Sequence, residues 1–122
     1  MESSKQIEND FWSAIDFLIA QSEIVIDRPK GTRHPRFESI IYPMDYGYLK
    51  GTASMDGGGI DVCKGSQWET TCDALICTVD LYKRDSEIKI LIGCTEEEKA
   101  TIMRFYNESP YMKGVMIRRD SP

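Results

Sequence analysis

Tyr42-Pro43-Met44-Asp45-Tyr46-Gly47-Tyr48-Leu49-Lys50-Gly51-Thr52-Ala53-Ser54-Met55-Asp56-Gly57-Gly58-Gly59-Ile60-Asp61-Val62 is the stretch on which the fold turns. Pro43 ends a short extended run that begins at Phe37, because proline brings no amide hydrogen to a ladder. Tyr46 to Leu49 reads as another strand. Met55 to Gly59 reads as a flexible loop, since three successive glycines accept positive φ and let the backbone approach a ligand closely. Ile60 to Cys63 is the short strand after it. Short strands separated by turn residues mark a β-rich core.

Working outward toward the N-terminus, Ile7, Phe11, Ile15, Leu18 and Ile19 recur at helical spacing, with Trp12 widening the apolar face. This helix should fade near Ser22. Glu23 to Asp27 is rich in β-branched residues and reads as a strand that Pro29 and Gly31 break. Toward the C-terminus, Ala74 to Lys89 reads as a hairpin. Leu75, Cys77, Val79 and Leu81 point one way, Thr78, Asp80 and Tyr82 the other, about a turn at Lys83-Arg84-Asp85-Ser86. That turn would pair Tyr82 with Glu87 and Asp80 with Lys89. Ile88, Ile90 and Ile92 then form the core face, with Glu87 and Lys89 opposite. Thr95-x-x-Glu98 is a capping box that starts a second helix, ended by Pro110, and Val115 to Arg118 is a final strand. The order predicts one domain over residues 1–122. It is α+β, mainly β, built on a small, strongly bent antiparallel sheet or barrel with an N-terminal and a C-terminal helix.

A chain of 122 residues buries enough surface to fold without staples. No apolar run approaches the ~20 residues of a membrane span. Met1-Glu2-Ser3-Ser4-Lys5 lacks the profile of a signal peptide. The expectation is therefore a cytoplasmic protein that engages no membrane. The cysteines Cys63, Cys72, Cys77 and Cys94 form no C-x-x-C pair and read as free structural thiols. His34 is the single histidine, which excludes sites that need two. A net charge of -5 argues against generic nucleic-acid binding.

Three features carry chemistry. Arg28 to Arg36 holds Arg28, Lys30, Arg33 and Arg36 with no acid among them, a local positive field suited to phosphate oxygens. The plainer reading is a solvated basic loop. Asp56 and Asp61 bracket the glycines, and Mg²⁺ takes one or two carboxylates with substrate phosphates. The plainer reading is a glycine-rich tip with exposed acids. Asp80, Tyr82, Glu87 and Lys89 line the polar face of the hairpin, where a surface Asp80–Lys89 pair is the plainer reading.

Tyr42 to Tyr48 followed by Asp56 to Val62 resembles the signature region of the soluble family I inorganic pyrophosphatases. That family reads Tyr-Pro-x-Asn/Asp-Tyr-Gly-Tyr, then some seven residues, then Asp-Gly-Asp-Pro-x-Asp-Val, and Leu49 to Met55 fills the gap here. Upstream, Asp27, Pro29, Arg36 and Glu38 keep the family's acid, Pro, basic and Glu spacing. Downstream, Glu87-Ile88-Lys89-Ile90 resembles its acidic-x-Lys-apolar strand, and Phe105-Tyr106-Asn107 the end of its helix.

The resemblance implies an OB-like β-barrel and Mg²⁺-dependent hydrolysis of inorganic diphosphate to two phosphates by a metal-activated water. It implies metal ligands at Asp56, Asp61 and Glu87, with Asp27 and Glu38 holding metal-bound water or standing behind it. It implies phosphate binding by Arg36, Lys89, Tyr46 and Tyr106, and catalytic roles for Asp56, Asp61 and Tyr46. The substrate would be a small molecule, and a homo-oligomer stays open. Departures are plain. The motif's central Asp is Gly58 and its Pro is Gly59, the stretch between Glu38 and Tyr42 is short, and the Lys after the helix tyrosine is Asn107. Arg28 or Arg33 could replace a phosphate-binding Arg lost with that short stretch. Two alternatives stand beside hydrolysis of diphosphate: a non-catalytic phosphate- or nucleotide-binding module, and hydrolysis of another phosphoanhydride. A protein-interaction domain with a vestigial pocket is a third class.

Overall fold

A computed structural model describes residues 3–120. Met1, Glu2, Ser121 and Pro122 lie outside the described residues, and with them part of the stretch read for a signal peptide. The elements run α1 (Ser4–Ala20), β1 (Glu23–Arg28), β2 (Asp45–Lys50), β3 (Ile60–Lys64), β4 (Ala74–Asp80), β5 (Asp85–Ile92), α2 (Glu96–Asn107) and β6 (Met112–Arg118). The fold is α+β and mainly β. Among the described residues no helix is long and apolar enough to cross a membrane.

Ser3 caps α1 by accepting from the Gln6 amide at 3.1 Å, and Trp12, Ile15 and Ile19 bury one stripe. Ile7 and Phe11, expected on that stripe, are exposed: the buried stripe runs through Trp12, Ile15 and Ile19, and Phe11 lies at its edge with its ring against Trp12 at 5.5 Å. The predicted capping box of α2 is formed. The Thr95 hydroxyl accepts from the Glu98 amide at 3.1 Å, and the Glu98 carboxylate accepts from the Thr95 amide at 2.8 Å.

The strands form one sheet in the order β1-β2-β3-β5-β4-β6. β1 and β6 are its two ends, so the expected barrel is not closed by the described strands. Helices do the covering that closure would have done. α1 packs with Leu49, Val62, Leu75, Ile90 and Ile92 on one face, and α2 with Cys63, Ala74, Ile76 and Leu91 on the other. The sheet is also mixed rather than antiparallel, since β3 and β5 run parallel. This places β5 inside the sheet, where Ile90, Leu91 and Ile92 are fully buried on both faces.

The hairpin turns earlier than the sequence suggests. The Asp80 carboxylate accepts from the amides of Tyr82 and Lys83 at 2.9 and 3.0 Å, and Arg84 takes a φ of 60°. The turn is therefore Leu81–Arg84, and Thr78 pairs with Glu87 and Ile76 with Lys89. Leu81 leaves the core face for the exposed turn. Near the turn Thr78 and Asp80 are buried while Val79 and Ile88 are exposed, because α1 does not reach that end of the sheet. Phe37 to Tyr42 is not a strand. The Ile40 amide turns back to the Phe37 carbonyl at 2.9 Å, and only an isolated bridge between Arg33 and Ile41 remains. The segment is an ordered loop, tied by Gly31 N–H to the Tyr42 carbonyl at 2.8 Å and Tyr42 N–H to that of Thr32 at 3.0 Å.

Lys99 is buried between Asp73 at 2.9 Å and Glu96 at 2.8 Å, and Glu96 also meets Arg118, tying α2 to β6 and the approach to β4. Arg118 and Lys99 hold the Glu96 carboxyl down at about 2. All four cysteines are free, and three are buried. Burial pushes the Cys63 and Cys72 thiols up to about 11 and Cys94 up to about 12, so all three stay protonated.

Gly47 faces Ile26 across β1 and β2, and a Cβ there would run into the Val25 carbonyl. Gly47→Ala is expected to cost about 3 kcal/mol or more of stability, since the obstacle is backbone. Urea unfolding checks this, and a midpoint unchanged from the parent would contradict it.

Candidate functional site

The face of the sheet beneath α2 gathers a charged cluster. Tyr46 comes from β2, Asp61 from β3, Glu87 and Lys89 from β5, and Tyr106 from α2. The parallel register sets Asp61 beside Lys89, and the pleat keeps Glu87 and Lys89 on the same face. Lys89 Nζ donates to Asp61 Oδ2 at 2.8 Å, to Glu87 Oε2 at 2.7 Å and to the Tyr46 hydroxyl at 3.3 Å. All three ammonium hydrogens thus have acceptors. The same nitrogen lies 5.7 Å from the Tyr46 ring centre and 5.6 Å from that of Tyr106. The plainer reading of the sequence puts Lys89 on a solvated face paired with Asp80, but Ile76 is its partner across the hairpin. Lys89 is instead 4% exposed, because α2 covers that face.

Burial of Lys89 works against its charge. Tyr46, Asp61 and Glu87 outweigh that cost, so its pKa lies above the ordinary lysine value. Glu87 is raised, first by burial and then by its hydrogen-bonding neighbour Asp61, with Lys89 pulling it back only in part. Two carboxylates share one ammonium, and one negative charge is in surplus. Burial raises Tyr46 and Tyr106 as well, so both remain hydroxyl donors at any working pH.

Of the residues singled out in the sequence, Tyr46, Asp61, Glu87, Lys89 and Tyr106 meet here. Asp56, Asp27, Glu38 and Arg36 do not touch the cluster. Asp56 closes its own exposed turn, accepting from the Ser54 hydroxyl at 2.6 Å and the Gly58 amide at 2.9 Å, and these bonds lower its pKa. Asp27, Glu38 and Arg36 are exposed, and among the described residues none of the three forms an ion pair. Arg33 is used within its loop, donating to the Glu38 carbonyl at 2.8 Å.

Arg28 is better placed. A bulge in β1 sets it opposite Tyr46, and its guanidinium donates to the Tyr42 hydroxyl. The Tyr42 ring stacks on Tyr46 with centres 5.5 Å apart. Bulges have no dependable sequence signal, so this link between Arg28 and the cluster is visible only in the fold. The register sets the hairpin turn and the glycine turn at one end of the sheet, since β3 and β5 start there side by side, while the basic loop leaves β1 at the opposite end.

Among the described residues no group of three or more His, Cys, Asp or Glu side chains is arranged to hold a metal. Asp61 and Glu87 form a pair, each about a quarter exposed, and Lys89 is bonded to a single oxygen of each. A hard dication such as Mg²⁺ needs only one or two carboxylates when water and substrate phosphate supply the rest. The crowded, surplus-negative pair fits that donor set. No family model and no curated protein matches the chain.

Lys89→Met is expected to cost about 3–5 kcal/mol at pH 7, the usual result of leaving buried charge unpaired. Without the ammonium, Glu87 rises further above its unfolded value. A carboxyl raised by folding gives stability below its unfolded pKa and withdraws it as pH climbs through the folded one. The loss should therefore be smaller at pH 5 than at pH 7 in urea titrations. An equal loss at both would mean the carboxylates are relieved by another group.

Proposed function

We propose that the protein hydrolyses inorganic diphosphate with the help of Mg²⁺, and that its open sheet is a trimmed relative of the OB-like barrel of the family I pyrophosphatases. One observation carries this reading. Five residues of the types that the resemblance assigns to metal and phosphate binding, distant in sequence, converge around Lys89 Nζ.

Asp61 and Glu87 would hold the cation. When bound, it supplies positive charge against the phosphate oxygens and acidifies water. The remaining work falls to the chain. Lys89 keeps both carboxylates in place and offers the charge that offsets a leaving phosphate. Tyr46, kept as a hydroxyl, donates a hydrogen bond to a phosphoryl oxygen without losing its proton. Arg28 stands as a further cation near the cluster through Tyr42. Diphosphate alone would be repelled by the surplus negative charge of the cluster, which is why the reading requires a dication.

The weak point in the machinery is Gly58, where the resembling family places an acid. The backbone there leaves room for a side chain, since a Cβ would meet only Asp56 Oδ1 at 3.3 Å. Gly59 differs, because a Cβ there would press on the Tyr48 ring at 2.7 Å and the Leu49 carbonyl at 2.8 Å. The family's proline therefore has no space in this chain. The absent acid favours one second reading, a module that binds diphosphate without turning it over.

Phosphate release from diphosphate with millimolar Mg²⁺ decides between them. The parent should release phosphate, and Asp61→Asn should lower the rate by about 10²–10⁴-fold. Binding in calorimetry with no release from the parent would leave the binding module. Neither binding nor release from folded protein would remove both readings.

A further inference from the structure

A diphosphate site needs charge and metal, yet a file of aromatic rings leads from this one into solvent. From Lys89 outward come Tyr46, then Tyr42 at 5.5 Å and 27°, then His34 at 6.1 Å and 19°, then Phe37 at 5.2 Å and 44°. Tyr42 is 5% exposed and belongs to the core, whereas Phe37 is 43% exposed and His34 is half-buried. The loop carrying the outer two rings is fixed. His34 N–H donates to the Ile40 carbonyl at 2.8 Å, and its Nδ1 accepts from the amides of Arg36 and Phe37 at 3.0 and 3.2 Å.

Those bonds determine what His34 can do. A ring nitrogen that accepts two amides carries no proton, so the imidazole is neutral with its hydrogen on Nε2. Burial, Arg28, Lys83 and Arg36 lower its pKa and keep it so. A histidine meant for phosphate would gain by being charged. This one is a flat, uncharged surface flanked by cations, in a loop without acids from Arg28 to Arg36. Rings beside guanidinium groups take up nucleobases, since every base has a stacking face and the cations hold the phosphates.

We propose that the ligand of this site is a nucleoside diphosphate or triphosphate, with its phosphates toward Lys89 and Arg28 and its base against Phe37 and His34. This rests on the preceding reading of the Lys89 cluster as a seat for a diphosphate group.

Calorimetry with Mg²⁺ tests it, using three probes: inorganic diphosphate, methyl diphosphate, and ADP. Methyl diphosphate matches the ester of ADP without a base. ADP should bind roughly tenfold more tightly than methyl diphosphate, the increment expected of one stacked base. Phe37→Leu, which leaves the core untouched, should remove most of that advantage and leave the affinity for inorganic diphosphate as it was. His34→Gln should act in the same direction. If diphosphate binds and ADP gains nothing over methyl diphosphate, the nucleotide inference falls and the diphosphate site stands. If the ADP advantage survives both substitutions, the base lies elsewhere and the inference also falls. If none of the probes binds, the diphosphate reading falls with it.

Discussion

A single ammonium group holds the centre of this protein. Lys89 Nζ joins carboxylates from β3 and β5 and a hydroxyl from β2 beneath a helix that arrives later in the chain. Taking such a charge out of water costs several kcal/mol, so the site is tenable only with every hydrogen directed at an acceptor. The constraint works in both directions. Asp61 and Glu87 would repel each other under the rim of α2 without the lysine, and the lysine would not be buried without them. Lys99 shows the same device at the other end of α2, but its partners are exposed and its role is to dock a helix. Only the Lys89 cluster is left with charge to spare.

Much of the architecture was legible where local rules act alone. α1 declares itself through apolar spacing, α2 through Thr95 and Glu98, and β2 and β3 through the turn residues around them. The register of the hairpin was not legible, because it depends on the Asp80 side chain capturing two amides and on Arg84 accepting a positive φ. The parallel neighbour of β5 was hidden for another reason. Nothing in a hairpin's own sequence says which of its strands will face inward in the sheet. Phe37 to Tyr42 reads as extended from its ends, Phe37 and Ile40 to Tyr42, yet it is a loop held by backbone bonds from Gly31 and His34 and to Thr32.

The site was half legible. Asp61, Glu87 and Lys89 are singled out by residue type, Tyr46 and Tyr106 by the resemblance, and the five do come together. Their arrangement was not foreseen, since a Glu-x-Lys on a strand reads as a solvated face until a helix is known to lie over it. Asp56, Asp27, Glu38 and Arg36 share the sequence pattern but lie in exposed segments away from the cluster. Between Arg28 and Arg33, the two candidate replacements, it is a bulge and the Tyr42 ring stack that tie Arg28 to the cluster, features that spacing does not encode.

The buried thiols give the molecule an unplanned property. A thiol that is both shielded and held protonated is a poor nucleophile until the backbone around it opens. Cys63 on β3 and Cys94 ahead of α2 lie together under α2, the Cys94 thiol donating to the Cys63 carbonyl at 3.6 Å, and Cys72 lies under α1. Their rates of alkylation would therefore act as internal clocks, Cys72 reporting when α1 lifts and Cys63 and Cys94 when α2 does. Each face of the sheet thus carries its own reporter of how often it is laid bare.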